Sequence, residues 1–259
     1  MKKILLALLL FPSLSMAQNA IDGTWKVDLN KLQMSDKPEI FAVHDGKYEC
    51  KSCVPPVSIA ADGADHKITG QPYYDMLAVK VIDDRTVRET QKKDGKVVSD
   101  STMKVLPDGK TMAFDFNMKR DANSPPVTGK GTMTRVAAGP ADSHAISGSW
   151  RTASYDSVSD NGLVITFKMA GDSLSMSSPA GQSYVAKLDG TEAPYKGDDG
   201  ITSVSVKKIG ANAVEETARL HGKVVTITKM TVAPDGKTMA ISMRDEVHDR
   251  TDGYVAVKQ

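Results

Sequence analysis

At 259 residues the chain is long enough for one large β domain or two of ordinary size. Its 33 basic and 32 acidic side chains leave a formal charge of +1, which gives no field for drawing in nucleic acid or acidic lipid. Beyond the first residues no apolar run reaches membrane length, so a soluble chain is expected.

The N-terminus, MKKILLALLLFPSLSMAQ, places two lysines before an apolar run from Ile4 to Phe11 and then small residues up to Ala17. This is the layout of a secretory signal peptide, so residues 1–17 are set aside from fold reasoning. No cysteine stands at the cleavage point, so no acyl anchor on the mature N-terminus is expected. The export signal predicts a periplasmic or secreted protein of bacterial type.

Beyond it the chain repeats. PDGKTMA occurs at Pro107 and again at Pro234, a shift of 127 residues that also lays ETQKKDGKVV on ETARLHGKVV. Upstream, DGTWKV matches SGSWRT at a shift of 125, from Trp25 to Trp150. The expected division is a first repeat over 18–136, a linker over 137–145 (AAGPADSHA with its small residues and proline), and a second repeat over 146–259. A period this long is not that of a solenoid.

Within each copy the hydrophobic period is two. After the turn at Pro107-Asp108-Gly109, the side chains of Met112, Phe114, Phe116 and Met118 fall on one face; Met239, Ile241 and Met243 do the same in the second copy. Pro fixes φ, Asp bonds its own backbone and Gly accepts positive φ, so PDG sets a tight turn. Short turns such as KKDGKVV join consecutive strands and demand antiparallel neighbours. The spacing predicts seven or eight strands per copy, enough to close a small barrel, and no amphipathic helix. The fold class expected is all-β: two tandem antiparallel up-and-down barrels.

The two Gly-x-Trp segments on first strands, each followed by a meander, resemble the lipocalin and fatty-acid-binding (calycin) superfamily and exported bacterial proteins built from such domains. The resemblance implies that Trp25 and Trp150 close the base of a barrel. It also implies that a basic residue from the last strand, Arg135 or Lys258, lies across each indole as a cation over its face.

Candidates for chemistry are few. Cys50 and Cys53 are the only cysteines. Pro55-Pro56 argues against the helix a redox C-x-x-C needs, and zinc would need two more ligands, with only His44 and His66 near; a local disulfide is the simplest reading in an oxidising compartment. Gly109-Lys110-Thr111 and Gly236-Lys237-Thr238 lack the earlier glycine of a phosphate loop. The five histidines form no ligand motif, and the methionines follow strand alternation as core residues do. No catalytic residue, metal or cofactor is expected. Outward positions carrying Arg88, Lys92 and Lys104 argue against a lipid-facing barrel.

The inward faces are mixed. Ser99 and Ser101 fall in phase with Val97, Met103 and Val105, and Thr226 and Thr228 with Val224, Met230 and Val232; Glu89 follows Val87, and Glu216 follows Val214. Polar groups among apolar ones are expected of a lumen holding a ligand. Alternatively these strands leave the closed region or slip in phase at a bulge, and the rarity of unpaired buried glutamate argues for that at Glu89. The ligand-lining set is therefore Val97, Ser99, Ser101, Met103, Met112, Phe114, Phe116, Met118, Thr226, Thr228, Met230, Met239, Ile241 and Met243. The function expected is binding of a small apolar or amphipathic molecule, in one barrel more than the other. The alternative is an interaction module of the cell envelope with filled barrels. Neither involves nucleic acid, membrane insertion or catalysis.

Overall fold

A computed structural model describes residues 19–259; the expected signal peptide lies outside the described residues. The described chain is all-β, with two single-turn 3-10 segments, η1 (Leu29–Lys31) and η2 (Asp160–Gly162), and two antiparallel ten-stranded sheets. No helix among the described residues is long and apolar enough to cross a membrane.

One sheet contains β2 (Glu39–His44), β3 (Lys47–Cys50), β4 (Val57–Ala60), β5 (His66–Lys67), β6 (Met76–Asp83), β7 (Thr86–Lys93), β8 (Lys96–Val105), β9 (Thr111–Met118), β10 (Val127–Ala138) and β11 (Gly148–Val158). The other is a closed barrel of β1 (Gly23–Val27), β12 (Val164–Ala170), β13 (Ser173–Ser177), β14 (Ser183–Lys187), β15 (Asp189–Lys196), β16 (Ser203–Gly210), β17 (Ala213–Leu220), β18 (Lys223–Val232), β19 (Thr238–Asp245) and β20 (Arg250–Lys258). Ten strands replace the seven or eight expected, because the stretches between hairpins that carry weak alternation also pair. The hairpins follow the turn chemistry. Asp94-Gly95 sits at φ 49° and 74°, the geometry that matches strand twist. In the PDG turns Gly109 and Gly236 take φ 66° and 67°, while Asp108 Oδ1 accepts the amides of Lys110 and Thr111 at 2.8 and 2.9 Å.

The sheets do not coincide with the sequence repeats. β1, from the first repeat, pairs with β12 and β20 of the second, with Trp25 opposite Lys258. β11, from the second repeat, pairs with β10 and β2 of the first, with Trp150 opposite Arg135 and Glu39. The two copies have exchanged their Gly-x-Trp strands. The stretch expected as a linker explains how. β10 runs through Ala138, and Arg135 clamps the turn after it: the guanidinium donates to the carbonyls of Gly109, Ser147 and Ala145 at 2.7, 2.7 and 2.6 Å. Ser147 Oγ also accepts the Val43 amide at 2.9 Å. So held, the chain turns back beside β10 instead of crossing. The crossings are residues 28–38 and 159–163.

Each barrel keeps its own core. Trp150 (0 % exposed) packs with Met112, Val105, Phe41 and Ile146, and Trp25 (1 %) with Met239, Val232, Phe167 and Ile21. Each indole N–H donates to the carbonyl four residues earlier, Ile146 at 2.7 Å and Ile21 at 2.8 Å. The cations stand where the resemblance implies, with partners exchanged: Arg135 lies 4.0 Å over Trp150 and Lys258 5.2 Å over Trp25.

The first barrel stays open at one seam. Ser183 and Tyr184 pair with Lys196 and Tyr195 to close β14 on β15, whereas β4 and β5 do not pair. At the shift of 127, Pro56 stands where Ser183 does, and proline has no N–H to give a ladder. Cys50 and Cys53 form a disulfide beside this seam.

Candidate functional site

The Trp end of each barrel is sealed, and the opposite ends face each other. Tyr73 Oη, before β6, donates to Asp198 Oδ1 between β15 and β16 at 2.9 Å. The Asp199 amide donates to the Arg120 carbonyl at 3.0 Å, and Asn161 Nδ2 to the Pro126 carbonyl at 2.8 Å. Gly200 lies directly under the Tyr73 ring, where a Cβ would overlap it.

Along the inward faces burial loosens from base to mouth. Met112, Met230, Met239 and Ile241 are buried, while Ser99, Ser101, Met103, Phe114, Phe116, Met118, Thr226, Thr228 and Met243 are half-buried. Val97 does not belong to this set. It is 48 % exposed, because the register shifts between Gln91 and Lys92 and turns Val98 inward in its place. The bulge anticipated as an alternative is real, but it displaces Val97 and leaves Ser99, Ser101 and Glu89 in phase.

Phe114 and Phe116 form an aromatic cluster with Tyr155 of β11, edge to face, at centroid distances of 5.7 and 6.3 Å. The rings lie flat against β10 because Gly131 and Gly129 stand there; a Cβ at either would strike Phe114 or Phe116.

Both in-phase glutamates point inward. Burial pushes the Glu216 carboxyl up to about 7, with the Tyr184 hydroxyl beside it drawing it the other way. Burial raises Glu89 too, against the Tyr48 hydroxyl. A tyrosine thus accompanies each acid, from β14 in one barrel and β3 in the other. No hydrogen bond of good geometry closes in either pair: Glu89 Oε1 and Tyr184 Oη are buried without a partner. The expectation against an inward Glu89 does not hold: its side chain lies inside the barrel beside Tyr48, where burial shifts the carboxyl toward its uncharged form, which is less costly to bury than a carboxylate.

Between the mouths sits Arg120, on the turn from β9 to β10. Burial works to lower its guanidinium, but Tyr73 and Asp198 outweigh that and hold it charged. Tyr195 and Tyr254 of the second barrel and Tyr155 of the first sense its charge. Arg120, Glu89 and Glu216 lie deep in the molecule, each half-buried as a whole residue.

Arg120, Tyr73 and Asp198 do not stand out in the sequence, since they follow no motif. The repeat itself holds the signal: at the shift of 127 their counterparts are Val247, Gly200 and Gln71. Elsewhere, half-open grooves of about 580 Å³, lined by His44, Lys47 and Pro140, and about 670 Å³, lined by Met34, Lys229 and Thr251, run along the outer surface. No group of three or more His, Cys, Asp or Glu able to hold a metal occurs among the described residues. Compared with known proteins, the chain matches no family model and no curated sequence.

Proposed function

We propose that the chain is an exported, non-enzymatic carrier that binds a small amphipathic molecule between its two facing barrels. The observation that supports this reading is the pair of inward glutamates, Glu89 and Glu216, buried in the two barrels without a charged partner, with Glu89 Oε1 left without a hydrogen bond. A purely structural interior would leave these groups paired or replaced by apolar ones. The Phe114, Phe116 and Tyr155 cluster supplies an apolar wall at the same end of the first barrel.

The test uses the full chain. Native mass spectrometry before and after organic extraction should show a bound molecule that extraction removes, and the stripped protein should take up an environment-sensitive dye. If no mass is removed and no apolar probe binds below the millimolar range, the carrier reading fails and the filled-barrel interaction module takes its place.

A further inference from the structure

We infer that the Cys50–Cys53 disulfide is an exchange site, opened and re-formed by a protein dithiol that attacks Cys53. The inference is independent of the carrier reading.

The fold does not call for this cross-link. In the second barrel β13 and β14 make the same hairpin without cysteine: Met176 stands opposite Tyr184 as Cys50 stands opposite Val57, and all four side chains are buried. A link between residues only three apart also removes little freedom from the unfolded chain, so it adds little stability.

The surroundings of the two sulfurs suit exchange instead. Cys50 is 4 % exposed and packs in the core of the first barrel, whereas Cys53 is half-buried on the turn beside the exposed Val54, Pro55 and Pro56. An incoming thiolate therefore meets Cys53 Sγ, and Cys50 becomes the leaving group. A buried leaving thiolate needs a donor. In a redox pair that donor is commonly a helix N-terminus, which the two prolines deny this turn; here the Cys53 amide takes the role and donates to Cys50 Sγ at 3.1 Å.

The segment between the cysteines is also held by bonds that do not involve sulfur. The Lys51 amide donates to the Ile40 carbonyl at 2.8 Å. Ser52 Oγ accepts the Ile40 amide at 2.9 Å and donates to Glu39 Oε2 at 2.9 Å. The turn so anchored keeps its shape when the S–S bond breaks, and the two sulfurs stay side by side for re-closure.

The exchange runs in two displacements. One partner thiolate bonds to Cys53 Sγ as the Cys50–Cys53 bond breaks, and Cys50 leaves as a thiolate. The partner's second thiolate then attacks the partner sulfur of the mixed disulfide, and Cys53 leaves. The partner ends as a disulfide, two electrons have passed to the cysteines, and the two protons of the partner's thiols end on Cys50 and Cys53.

The experiment exposes the oxidised full-length chain, without denaturant, to dithiothreitol and counts free thiols over time by alkylation and mass. A synthetic peptide of residues 47–57 closed by the same disulfide is the unfolded reference. The folded chain should be reduced at a rate within about ten-fold of the peptide's, keep its tryptophan fluorescence, and close again when oxidised glutathione replaces the dithiothreitol. With reduced glutathione as the attacking thiol, and the released thiol locked by alkylation, the mixed disulfide should map to Cys53. Slower reduction than that, or reduction only together with unfolding, would show a structural link shielded by the fold and overturn the inference. A mixed disulfide on Cys50 would overturn the assigned point of attack.

Discussion

Glu216 ties stability to pH. Its carboxyl ordinarily titrates near 4.5, and burial among Tyr184, Tyr195 and Tyr254 moves it to about 7. The folded chain therefore holds this proton more tightly than the unfolded one, and stability falls as pH rises from about 4.5 to about 7, by on the order of 3 kcal/mol in all. Thermal unfolding at pH 5 to 8 should show a steeper decline for the wild type than for Glu216→Gln, which cannot ionise; parallel curves would refute the assignment. The tryptophans make the other test at this scale. Trp25→Ala should cost about 3 to 5 kcal/mol, and hydrogen exchange should locate the damage in β12 and β20, far along the chain, with β2 to β10 still protected. Damage confined to β2 through β10 would contradict the exchanged strand.

At the scale of elements, the seam of the first barrel is the place to probe. Cys50→Ser with Cys53→Ser should lower stability by no more than about 2 kcal/mol, since a ring this short removes little freedom from the unfolded chain. Denaturant melts of both forms check this, and the intact mass without reductant should lack two hydrogens. Much of the strand pattern is legible in the sequence. PDG and KKDGKVV announce hairpins through residues that tolerate their turns, and alternation at Met112 to Met118 announces the inward face. Three features are not legible, for physical reasons. The bulge beside Gln91 puts Val98 where Val97 was expected, and nothing in the alternation of β8 marks where a ladder slips. Likewise, a Gly-x-Trp strand meets the same neighbours' side chains in either barrel, so its composition cannot say which of two near-identical slots it fills. Arg120 stays hidden because a lone arginine on a turn has meaning only through what faces it.

For the whole molecule, the exchange makes the two repeats depend on each other. A protease site introduced at Ala141-Asp142, in the exposed part of the β10 to β11 turn, would cut the chain between its sequence copies. The halves should nevertheless elute together, because each supplies a strand to the other's barrel; separation without denaturant would show the exchange to be absent in solution. The same arrangement sets a schedule. Residues 39–158 contain every strand of the first barrel in one uninterrupted stretch, whereas the second must join β1 to β20, the two ends of the described chain. Closing so long a loop is slow, and during synthesis the partner strand is the last to appear. The first barrel can finish while β1 is still waiting, with Trp25 uncovered until the final strand arrives. In refolding, Trp150 fluorescence read in a Trp25→Phe chain should recover before Trp25 fluorescence read in a Trp150→Phe chain. Until that last pairing, a segment that looks from its position like the start of the fold behaves in time as its end.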